Sequence, residues 1–238
     1  MVILTVGLNH ATAPVEIRER LHLSGAALPP FFERLEHEGG LPERLVLSTC
    51  NRVEVYAVTD EPEQAQAAIP RLLAEGTQTP LTLFRDRLYC HRQDAAIRHA
   101  FRVAASLDSL VLGESQILSQ VKAAYEVARS QGATGPILNT LMARSLGVAK
   151  KVRTETGIGE AAVSIPSTAI GLAKTIFGEL GGRTVLILGS GEMAEAAVRH
   201  LKGEGIQAVL VAHRHFDRAV ELAAQLEGRA VRFDQIRQ

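Results

Sequence analysis

The sequence lacks several features that would narrow its function at once. It contains no tryptophan, only two cysteines among 238 residues, and equal numbers of Lys+Arg and Asp+Glu, 26 of each. Two cysteines form no obvious disulfide framework, and their spacing is not that of a metal site. The balanced charge argues neither for nor against nucleic acid, so an anionic partner would need a local basic patch.

Long apolar runs are also missing. No run reaches the roughly 20 residues that a membrane-spanning helix needs. Residues 1–7 have neither a basic region nor a long apolar core, so they do not read as a signal peptide. These absences predict a cytoplasmic protein with no membrane partner. The cytoplasm is a reducing compartment, which suits free thiols. Apolar residues make up 46% of the sequence, enough for two modest globular domains.

One of the two thiols has an unusual setting. Cys50 lies in the polar run Ser48-Thr49-Cys50-Asn51-Arg52, between the strand-like segments 45–47 and 53–56. Hydrogen-bond donors and a cation beside a cysteine favour the thiolate, which is the nucleophilic form. The alternative is a small core residue at the end of a strand, and this segment alone does not decide between the two.

The segment 184–202 has the pattern of a dinucleotide-binding turn. The apolar run 185–188 predicts a buried parallel strand, and a glycine-rich turn and a helix follow it. Gly189 permits a tight turn, Gly191 lets the backbone approach a pyrophosphate, and Ala194 allows close packing of helix and strand. A second apolar strand, 208–212, lies at the required distance. The predicted cofactor-binding residues of the turn are Gly189, Ser190, Gly191, Glu192, Met193 and Ala194.

The end of the second strand indicates which cofactor is bound. A free ribose 2′-hydroxyl usually meets an Asp or Glu there, whereas an Arg accommodates a 2′-phosphate. Here the strand ends in His213-Arg214-His215 and offers no carboxylate. Arg214 therefore favours NADPH over NADH, unless it is simply a solvated side chain.

Secondary-structure patterns divide the chain into two parts. Strands are predicted at 2–7, 44–47, 53–58 and 81–89, then at 185–188 and 208–212. Helices are predicted at 16–21, 30–38, 63–75, 94–107, 116–130, 136–154 and 164–178. The fold class is therefore an α+β catalytic domain, 1–155, joined by a long helix to an α/β Rossmann-type NADP-binding domain, 156–238.

The second domain reads as incomplete. Its three strands and two helices make about half of a doubly wound fold. We expect either a fragment or an unusually short gene product.

A thiol nucleophile and a reduced nicotinamide cofactor together indicate one class of reaction. The cysteine takes an acyl group as a thioester, and hydride reduces the thioester to an aldehyde. The residues do not set the direction, since the reverse reaction is that of an aldehyde dehydrogenase.

Several segments, in order along nearly the whole chain, resemble the glutamyl-tRNA reductase family. The segments around Cys50 and over 108–116 are far more specific than the glycine turn, which many dehydrogenases share. The matching segments are 7–10, 12–19, 47–52, 54–56, 101–109, 111–118, 149–156 and 189–194.

The resemblance implies a V-shaped architecture and a defined reaction. Cys50 would attack the ester of glutamyl-tRNA(Glu), and NADPH would reduce the thioester to glutamate-1-semialdehyde, the first step of 5-aminolevulinate and tetrapyrrole synthesis. It implies the next pathway enzyme, glutamate-1-semialdehyde aminomutase, as a partner. The resemblance also implies a C-terminal helical domain through which full-length family members form homodimers, and we expect this chain to lack it. We therefore expect a monomer, or a weakly associated protein, that forms the thioester, reduces it slowly and slowly releases free glutamate instead of aldehyde.

The resemblance also implies roles for individual residues. Arg52 can clamp a carboxylate bidentately, and His99 can protonate the departing ribose oxygen or order the thiolate. His99 could instead be a helix-surface residue, and Glu114 and Gln116 could simply stabilise a helix N-terminus. The implied glutamyl pocket comprises Thr49, Asn51, Arg52, Ser109, Glu114, Ser115, Gln116 and Gln120.

The sequence departs from the family pattern in two places. Ser115 stands where the family commonly has Pro, in the loop of the glutamyl pocket. His213 and His215 replace the usual Asn and small hydroxyl residue beside Arg214, which bears on the contact with a 2′-phosphate.

Two other functions stay open. A tRNA-binding or regulatory module would bind glutamyl-tRNA without hydride transfer, and a generic NADPH dehydrogenase would tolerate Cys50→Ser. The basic stripe Arg144, Lys150, Lys151 and Arg153 is a candidate tRNA contact, and equally a solvated helix face.

Overall fold

The computed structural model describes residues 1–158, 165–189 and 192–236. The chain divides into two compact units, Met1–Ala162 and Val163–Gln238. The first contains a four-stranded antiparallel sheet with helices, and the second a three-stranded parallel sheet with helices. This confirms the predicted fold class, while the domain boundary after residue 155 stays a prediction.

The elements of the first unit follow the sequence periodicity closely. Its strands are β1 (Val2–Asn9), β2 (Glu43–Ser48), β3 (Arg52–Thr59) and β4 (Tyr89–Arg92). Its helices are α1 (Val15–Arg20), α2 (Leu28–His37), α3 (Pro62–Gly76), α4 (Asp94–Ala104), α5 (Gln116–Ser130) and α6 (Pro136–Glu155).

The strand order β2-β3-β1-β4 makes β3 a central strand. All eight residues of β3 are buried, which requires that both faces of the sheet be covered. Because side chains alternate between the faces of a strand, Arg52, Glu54 and Tyr56 share one face while Val53 and Val55 share the other. A polar row therefore runs along the centre of this unit.

Strand register brings the functional segments to one end of the sheet. Asn9, the last residue of β1, pairs with Arg52, and Gly7 pairs with Glu54. A Cβ atom at Gly7 would lie 2.4 Å from the Val53 carbonyl oxygen and 2.8 Å from the Glu54 side chain. Glycine at position 7 is therefore what leaves room for the Glu54 side chain.

The strand predicted over 81–89 is wrong for most of its length. Residues Leu81–Leu83 and Arg85–Arg87 form two 3₁₀ turns, and the strand begins only at Tyr89. The turns close through hydrogen bonds from Leu83 N–H to the Pro80 carbonyl and from Arg87 N–H to the Phe84 carbonyl, both 3.0 Å. Phe84 is fully buried. Burial of this one ring outweighs the short alternation of Leu81 and Leu83.

The second unit has the order β5-β6-β7, all parallel. Its elements are α7 (Ile165–Phe177), β5 (Thr184–Leu188), α8 (Glu192–Lys202), β6 (Ala208–His213), α9 (Phe216–Gln225) and β7 (Arg229–Arg232). Contrary to the predicted buried strand, Leu186 and Leu188 of β5 are 41% and 61% exposed. In the described residues β5 is an edge strand, paired with β6 on one side only.

Among the helices of the described segments, none is both long and apolar enough to cross a membrane.

A buried carboxylate joins the long helix α6 to the sheet. The Glu43 side chain, on β2, accepts hydrogen bonds from the backbone N–H groups of Ile137 at 3.2 Å and Leu138 at 2.6 Å. These are among the first N–H groups of α6, which have no partner within the helix. Glu43 thus caps α6 from a distant strand.

Replacing Glu43 with Ala should cost roughly 2 kcal/mol of unfolding free energy, because two buried helix N–H groups lose their acceptor. Urea denaturation, followed by a signal from the first unit, would measure this loss of unfolding free energy. Glu126→Ala, which removes an exposed partner of Lys122, is the matched control and should change little. Equal effects of the two substitutions would contradict the capping role.

Candidate active site around Cys50

The turn between β2 and β3 holds Cys50 at its tip. The backbone N–H of Thr49 donates to the Arg52 carbonyl at 2.8 Å. The Thr49 hydroxyl oxygen accepts from the N–H groups of Asn51 and Arg52, both at 3.1 Å. Thr49 is buried while Cys50 is exposed. The structure therefore excludes a core role for Cys50 and gives it a firmly closed turn.

A second set of contacts holds the turn from the side of α1. Arg18 donates from Nε to the Cys50 carbonyl at 3.0 Å and from Nη1 to the Ala13 carbonyl at 2.6 Å. A cavity of about 260 Å³ opens beside the thiol. Its lining residues are Arg18, Glu19, His22, Thr49 and Cys50.

Behind the turn lies a buried polar network centred on Glu54. Glu54 has no solvent exposure, and its carboxylate accepts from Arg52 Nη1 at 2.7 Å and from the Tyr56 hydroxyl at 2.6 Å. The Tyr89 hydroxyl donates to the same carboxylate, and His99 Nε2 lies 2.9 Å from it. Four side chains from β3, β4 and α4 thus meet at one carboxylate.

Charge complementarity sets the ionisation of this network. Burial alone would raise the pKa of Glu54, but the Arg52 cation and the hydrogen bond with His99 lower it to about 2. Burial opposes the charge of Arg52 as well, yet the Glu54 carboxylate keeps the Arg52 pKa above its ordinary value. Burial and the Glu54 charge raise the pKa of Tyr89 and of Tyr56. The two tyrosines therefore stay neutral donors beside a charged carboxylate.

The loop between α4 and α5 brings Asp108 to the network. Arg52 Nη2 donates to the Asp108 carbonyl and, at 3.1 Å, to its carboxylate. Asn9 Nδ2 donates to the same carboxylate oxygen at 3.1 Å. Asp108 therefore links the end of β1 to the start of β3.

This loop has its own internal supports. Ser106 adopts a φ of +60° and donates from its hydroxyl to the Glu114 carbonyl at 2.6 Å. Gly113 adopts a φ of +81°, and a Cβ atom there would lie 2.3 Å from the Ile158 carbonyl oxygen. Arg153 donates to the carbonyls of Gly113 and Glu114 at 2.8 and 3.2 Å. Arg153 is thus a loop support on α6 and does not belong to an exposed basic stripe.

Two buried polar atoms near Asp108 lack partners among the described residues. They are the Ser109 hydroxyl oxygen and His10 Nδ1. Burial, followed by the nearby Arg52 cation, lowers the pKa of His10, so its imidazole is neutral at pH 7. Buried polar groups are almost always hydrogen-bonded. A polar ligand at this position would satisfy both atoms.

The structure brings several predicted site residues together. Thr49 and Asn51 form the Cys50 turn, and Arg52 connects it to His99 through Glu54. His99 is 7% exposed, which excludes a helix-surface role. The Arg52 guanidinium is 1% exposed and engaged by two carboxylates of the protein itself. Its direct contact with a substrate carboxylate stays a prediction.

The remaining predicted pocket residues lie at the start of α5. Ser115 is exposed at the N-cap position and makes no side-chain cap hydrogen bond. Gln116 and Gln120 are half-buried one turn apart, and helical spacing places them on the same face. The Glu114 side chain is also half-buried. Their role in binding substrate stays a prediction.

Sequence reasoning missed several residues of this site. They are Asn9, His10, Arg18, His22, Glu54, Tyr89 and Asp108. A signal existed for Glu54, because a strand places residues i and i+2 on one face and so sets Glu54 beside Arg52. His22 and Tyr89 reach the site only through tertiary packing.

The predicted cofactor residues lie at the carboxyl ends of two parallel strands. Gly189 follows β5 with a φ of +111°, a conformation that favours glycine, and its N–H donates to the Ala212 carbonyl at 2.9 Å. Arg214 follows β6 and is exposed, and His213 Nδ1 accepts from the His215 N–H at 2.9 Å. Neighbouring strand ends of this kind fit a dinucleotide.

The structure describes only some of the other residues of the predicted cofactor-binding turn. Ser190 and Gly191 lie outside the described residues, and α8 begins at Glu192, whose side chain, like that of Met193, is not described. Ala194 is half-buried against the apolar core of the second unit. Within residues 1–158, 165–189 and 192–236, no group of His, Cys, Asp and Glu could hold a metal ion.

Comparison with protein families gives two matches. The family described as Glutamyl-tRNAGlu reductase, N-terminal domain, matches residues 6–156. The family described as Shikimate / quinate 5-dehydrogenase matches residues 171–238.

Individual proteins are similar over nearly the whole chain. Glutamyl-tRNA reductase of Rubrobacter xylanophilus is 48% identical over 231 residues, 97% of this chain and 53% of that protein. The same-named protein of Pelotomaculum thermopropionicum is 46% identical over 236 residues, 99% of this chain and 53% of that protein. The structure of glutamyl-tRNA reductase from Methanopyrus kandleri matches with a TM-score of 0.63 and 38% identity, covering 98% of this chain and 55% of that one. The chain spans about half the length of these relatives.

Glu54→Gln should destabilise the first unit by roughly 3–5 kcal/mol at pH 7, because it leaves the Arg52 charge buried with a weaker set of partners. The folded-state pKa of Glu54, about 2, is below the ordinary value of 4.5. Its contribution is therefore present above pH 4.5 and is lost as the pH falls towards 2. The difference between wild type and variant in urea denaturation should shrink from pH 7 to pH 3.

Tyr89→Phe, a milder change, should cost about 1–2 kcal/mol through loss of one hydrogen bond to the carboxylate. Glu63→Gln, which alters an exposed partner of Arg92, serves as the control. If the difference in unfolding free energy between wild type and Glu54→Gln did not change with pH, the lowered pKa of Glu54 would be contradicted.

Proposed function

This chain belongs to the glutamyl-tRNA reductase family, and we propose that it transfers the glutamyl group of glutamyl-tRNA(Glu) to Cys50 and reduces the thioester with NADPH to glutamate-1-semialdehyde. That reaction would be the first step of 5-aminolevulinate and tetrapyrrole synthesis. Acyl transfer is assigned to residues 1–155 and cofactor binding to 156–238. The observation that carries the proposal is an exposed thiol at the tip of a turn that the buried, hydrogen-bonded side chains of Thr49 and Arg52 hold in place.

The turn presents the thiol in one position. Thr49 closes it from inside, and Arg18 holds the Cys50 carbonyl from α1. Holding a nucleophile in place removes much of the entropic cost of bringing the two reactants together. In the acyl-transfer step the Sγ–C bond forms, the bond from the carbonyl carbon to the ribose oxygen breaks, and the tRNA leaves with a proton on that oxygen.

The polar atoms around Asp108 suit an amino-acid head group. The Ser109 hydroxyl oxygen and His10 Nδ1 are buried and unpaired in the described structure, so a bound glutamyl group can supply their partners. A site with such groups discriminates strongly against ligands that leave them unpaired. We assign Thr49, Asn51, Arg52, Ser109, Glu114, Ser115, Gln116 and Gln120 to this pocket.

Glu54 and His99 act behind the pocket. Both are buried, and their contact at 2.9 Å fixes the imidazole ring beside the network. The Arg52 guanidinium is held between two carboxylates, Glu54 and Asp108, which offset its charge. Its contribution is therefore to hold the Cys50 turn and the Asp108 loop in place beside the pocket.

The second unit supplies residues that fit NADPH. When bound, this cofactor supplies the hydride that releases the acyl group as an aldehyde. Gly189 and the start of α8 would hold its pyrophosphate, since helix N-termini bind such anions. Arg214, exposed at the end of β6, would hold the 2′-phosphate.

Cys50→Ser should abolish the covalent glutamyl adduct while leaving the fold intact, because Cys50 is exposed and serine is nearly isosteric with cysteine. Acid-quenched protein incubated with glutamyl-tRNA would be digested and analysed by mass spectrometry. Cys90→Ser is the matched control and should keep the adduct. An adduct on the Cys90 peptide alone would refute the assignment.

Arg214→Ala should weaken NADPH binding by roughly 30-fold, about 2 kcal/mol for a lost charge-assisted phosphate contact. NADH binding should change far less, because NADH has no 2′-phosphate. Fluorescence titration with both cofactors measures the two affinities. Arg218→Ala, an exposed arginine on α9, is the control, and an equal loss for both cofactors in Arg214→Ala would contradict the proposed contact.

A further inference from the structure

A histidine that the family comparison does not single out lies beside the reactive thiol. His22 follows α1 and lines the cavity of about 260 Å³ together with Arg18, Glu19, Thr49 and Cys50. It is exposed, so a substrate that enters the cavity can contact it. The cavity thus combines one thiol, one imidazole, one cation and one carboxylate.

The ring of His22 is oriented by Ser48. His22 Nδ1 lies 3.0 Å from the Ser48 hydroxyl oxygen, and the same oxygen accepts from the Leu23 N–H at 2.9 Å. Ser48 is the last residue of β2, directly before the Cys50 turn. When Nδ1–H donates to Ser48, the lone pair of Nε2 is left free, and Nε2 has no hydrogen-bond partner among the described residues. An imidazole held in this way is arranged to accept a proton.

His99, the histidine that the family resemblance implies for the active site, is buried, whereas His22 is exposed in the cavity beside Cys50. The Nε2 atom of His99 is paired with Glu54. Its ring centroid lies 4.7 Å from that of His91 and 5.4 Å from that of Tyr89. Its Nε2 is therefore engaged away from the cavity that His22 shares with Cys50.

We propose that His22 is the proton acceptor for the Cys50 thiol and the proton donor to the leaving group. This inference rests on the proposed function. His22 Nε2 takes the proton from Sγ as the Sγ–C bond forms, and gives it to the ribose oxygen as the C–O bond breaks. The proton passes from thiol to tRNA, and His22 ends the step neutral.

Two charged groups face His22 in the cavity, Arg18 and Glu19, both from α1, and Cys50 faces it from the turn. Arg18 is held by the Cys50 and Ala13 carbonyls. The His22 imidazolium that forms during the step therefore shares the cavity with the Arg18 cation and the Glu19 carboxylate.

The direct test needs no tRNA. The rate of Cys50 alkylation by iodoacetamide is measured from pH 5.5 to 8.5 by peptide mapping, in wild type and in His22→Gln, whose amide can keep the hydrogen bond with Ser48. General-base assistance contributes about 10²–10⁴-fold to enzymatic steps, and we expect a loss of at least tenfold at pH 7 in this simpler reaction. In His22→Gln the alkylation rate of Cys50 should then increase with pH only because the hydroxide concentration increases. The Cys90 peptide in the same digest is the internal reference.

His37→Gln, an exposed histidine at the end of α2, is the matched control and should leave the profile unchanged. Added imidazole should restore part of the alkylation rate of His22→Ala, a rescue that a purely structural role would not show. An identical pH profile in wild type and His22→Gln overturns the proposal.

A second measurement separates this proposal from the function on which it rests. Single-turnover transfer from glutamyl-tRNA should be slower by at least tenfold in His22→Gln than in wild type. If wild type forms no adduct at all, the proposed function fails, and the alkylation profile still decides the role of His22. An unchanged transfer rate in a wild type that does form the adduct counts against His22.

Discussion

The structure of the first unit depends on the pairing of Glu54 with Arg52 in the interior of the protein. A carboxylate without solvent exposure is stable only when it is paired and hydrogen-bonded. Glu54 meets this requirement with Arg52, Tyr56, Tyr89 and His99, which come from three different elements. Removing the Glu54 charge would leave the buried Arg52 guanidinium with Asp108 as its remaining carboxylate partner. The pair therefore fixes how β3, β4 and α4 pack around the site.

The same pairing extends to the reactive turn. Arg52 is both a partner of Glu54 and the residue that closes the turn opposite Thr49. Its other nitrogen holds Asp108, which in turn binds Asn9 at the end of β1. The thiol is thus exposed while every neighbour that sets its position is buried or anchored. A nucleophile presented in this way combines access for a large substrate with a defined geometry.

Local patterns in the sequence predicted most of the elements and the Cys50 turn, because apolar periodicity and turn residues act over a few positions. These local patterns gave wrong predictions where a contact between residues distant in the sequence determines the local structure. One buried ring, Phe84, replaces the expected strand by 3₁₀ turns, and the edge position of β5 leaves Leu188 exposed. Strand spacing indicates that Glu54 lies beside Arg52, but the contact of Arg52 with Asp108, 56 positions further along the chain, is not indicated by any local pattern. His22 and Cys50 line the same cavity although they are far apart in the sequence, a proximity that periodicity cannot reveal.

Rapid-quench kinetics can show whether Cys50 carries the glutamyl group between tRNA and product. Wild-type protein would be mixed with excess tRNA charged with radioactive glutamate, in the absence of NADPH, and both protein-bound label and free tRNA followed in time. We predict a burst in which protein-bound label and free tRNA appear together. The bound label should approach one per chain, and hydroxylamine should release it, as expected of a thioester. Release of tRNA with free glutamate and no protein-bound label at any time would contradict it.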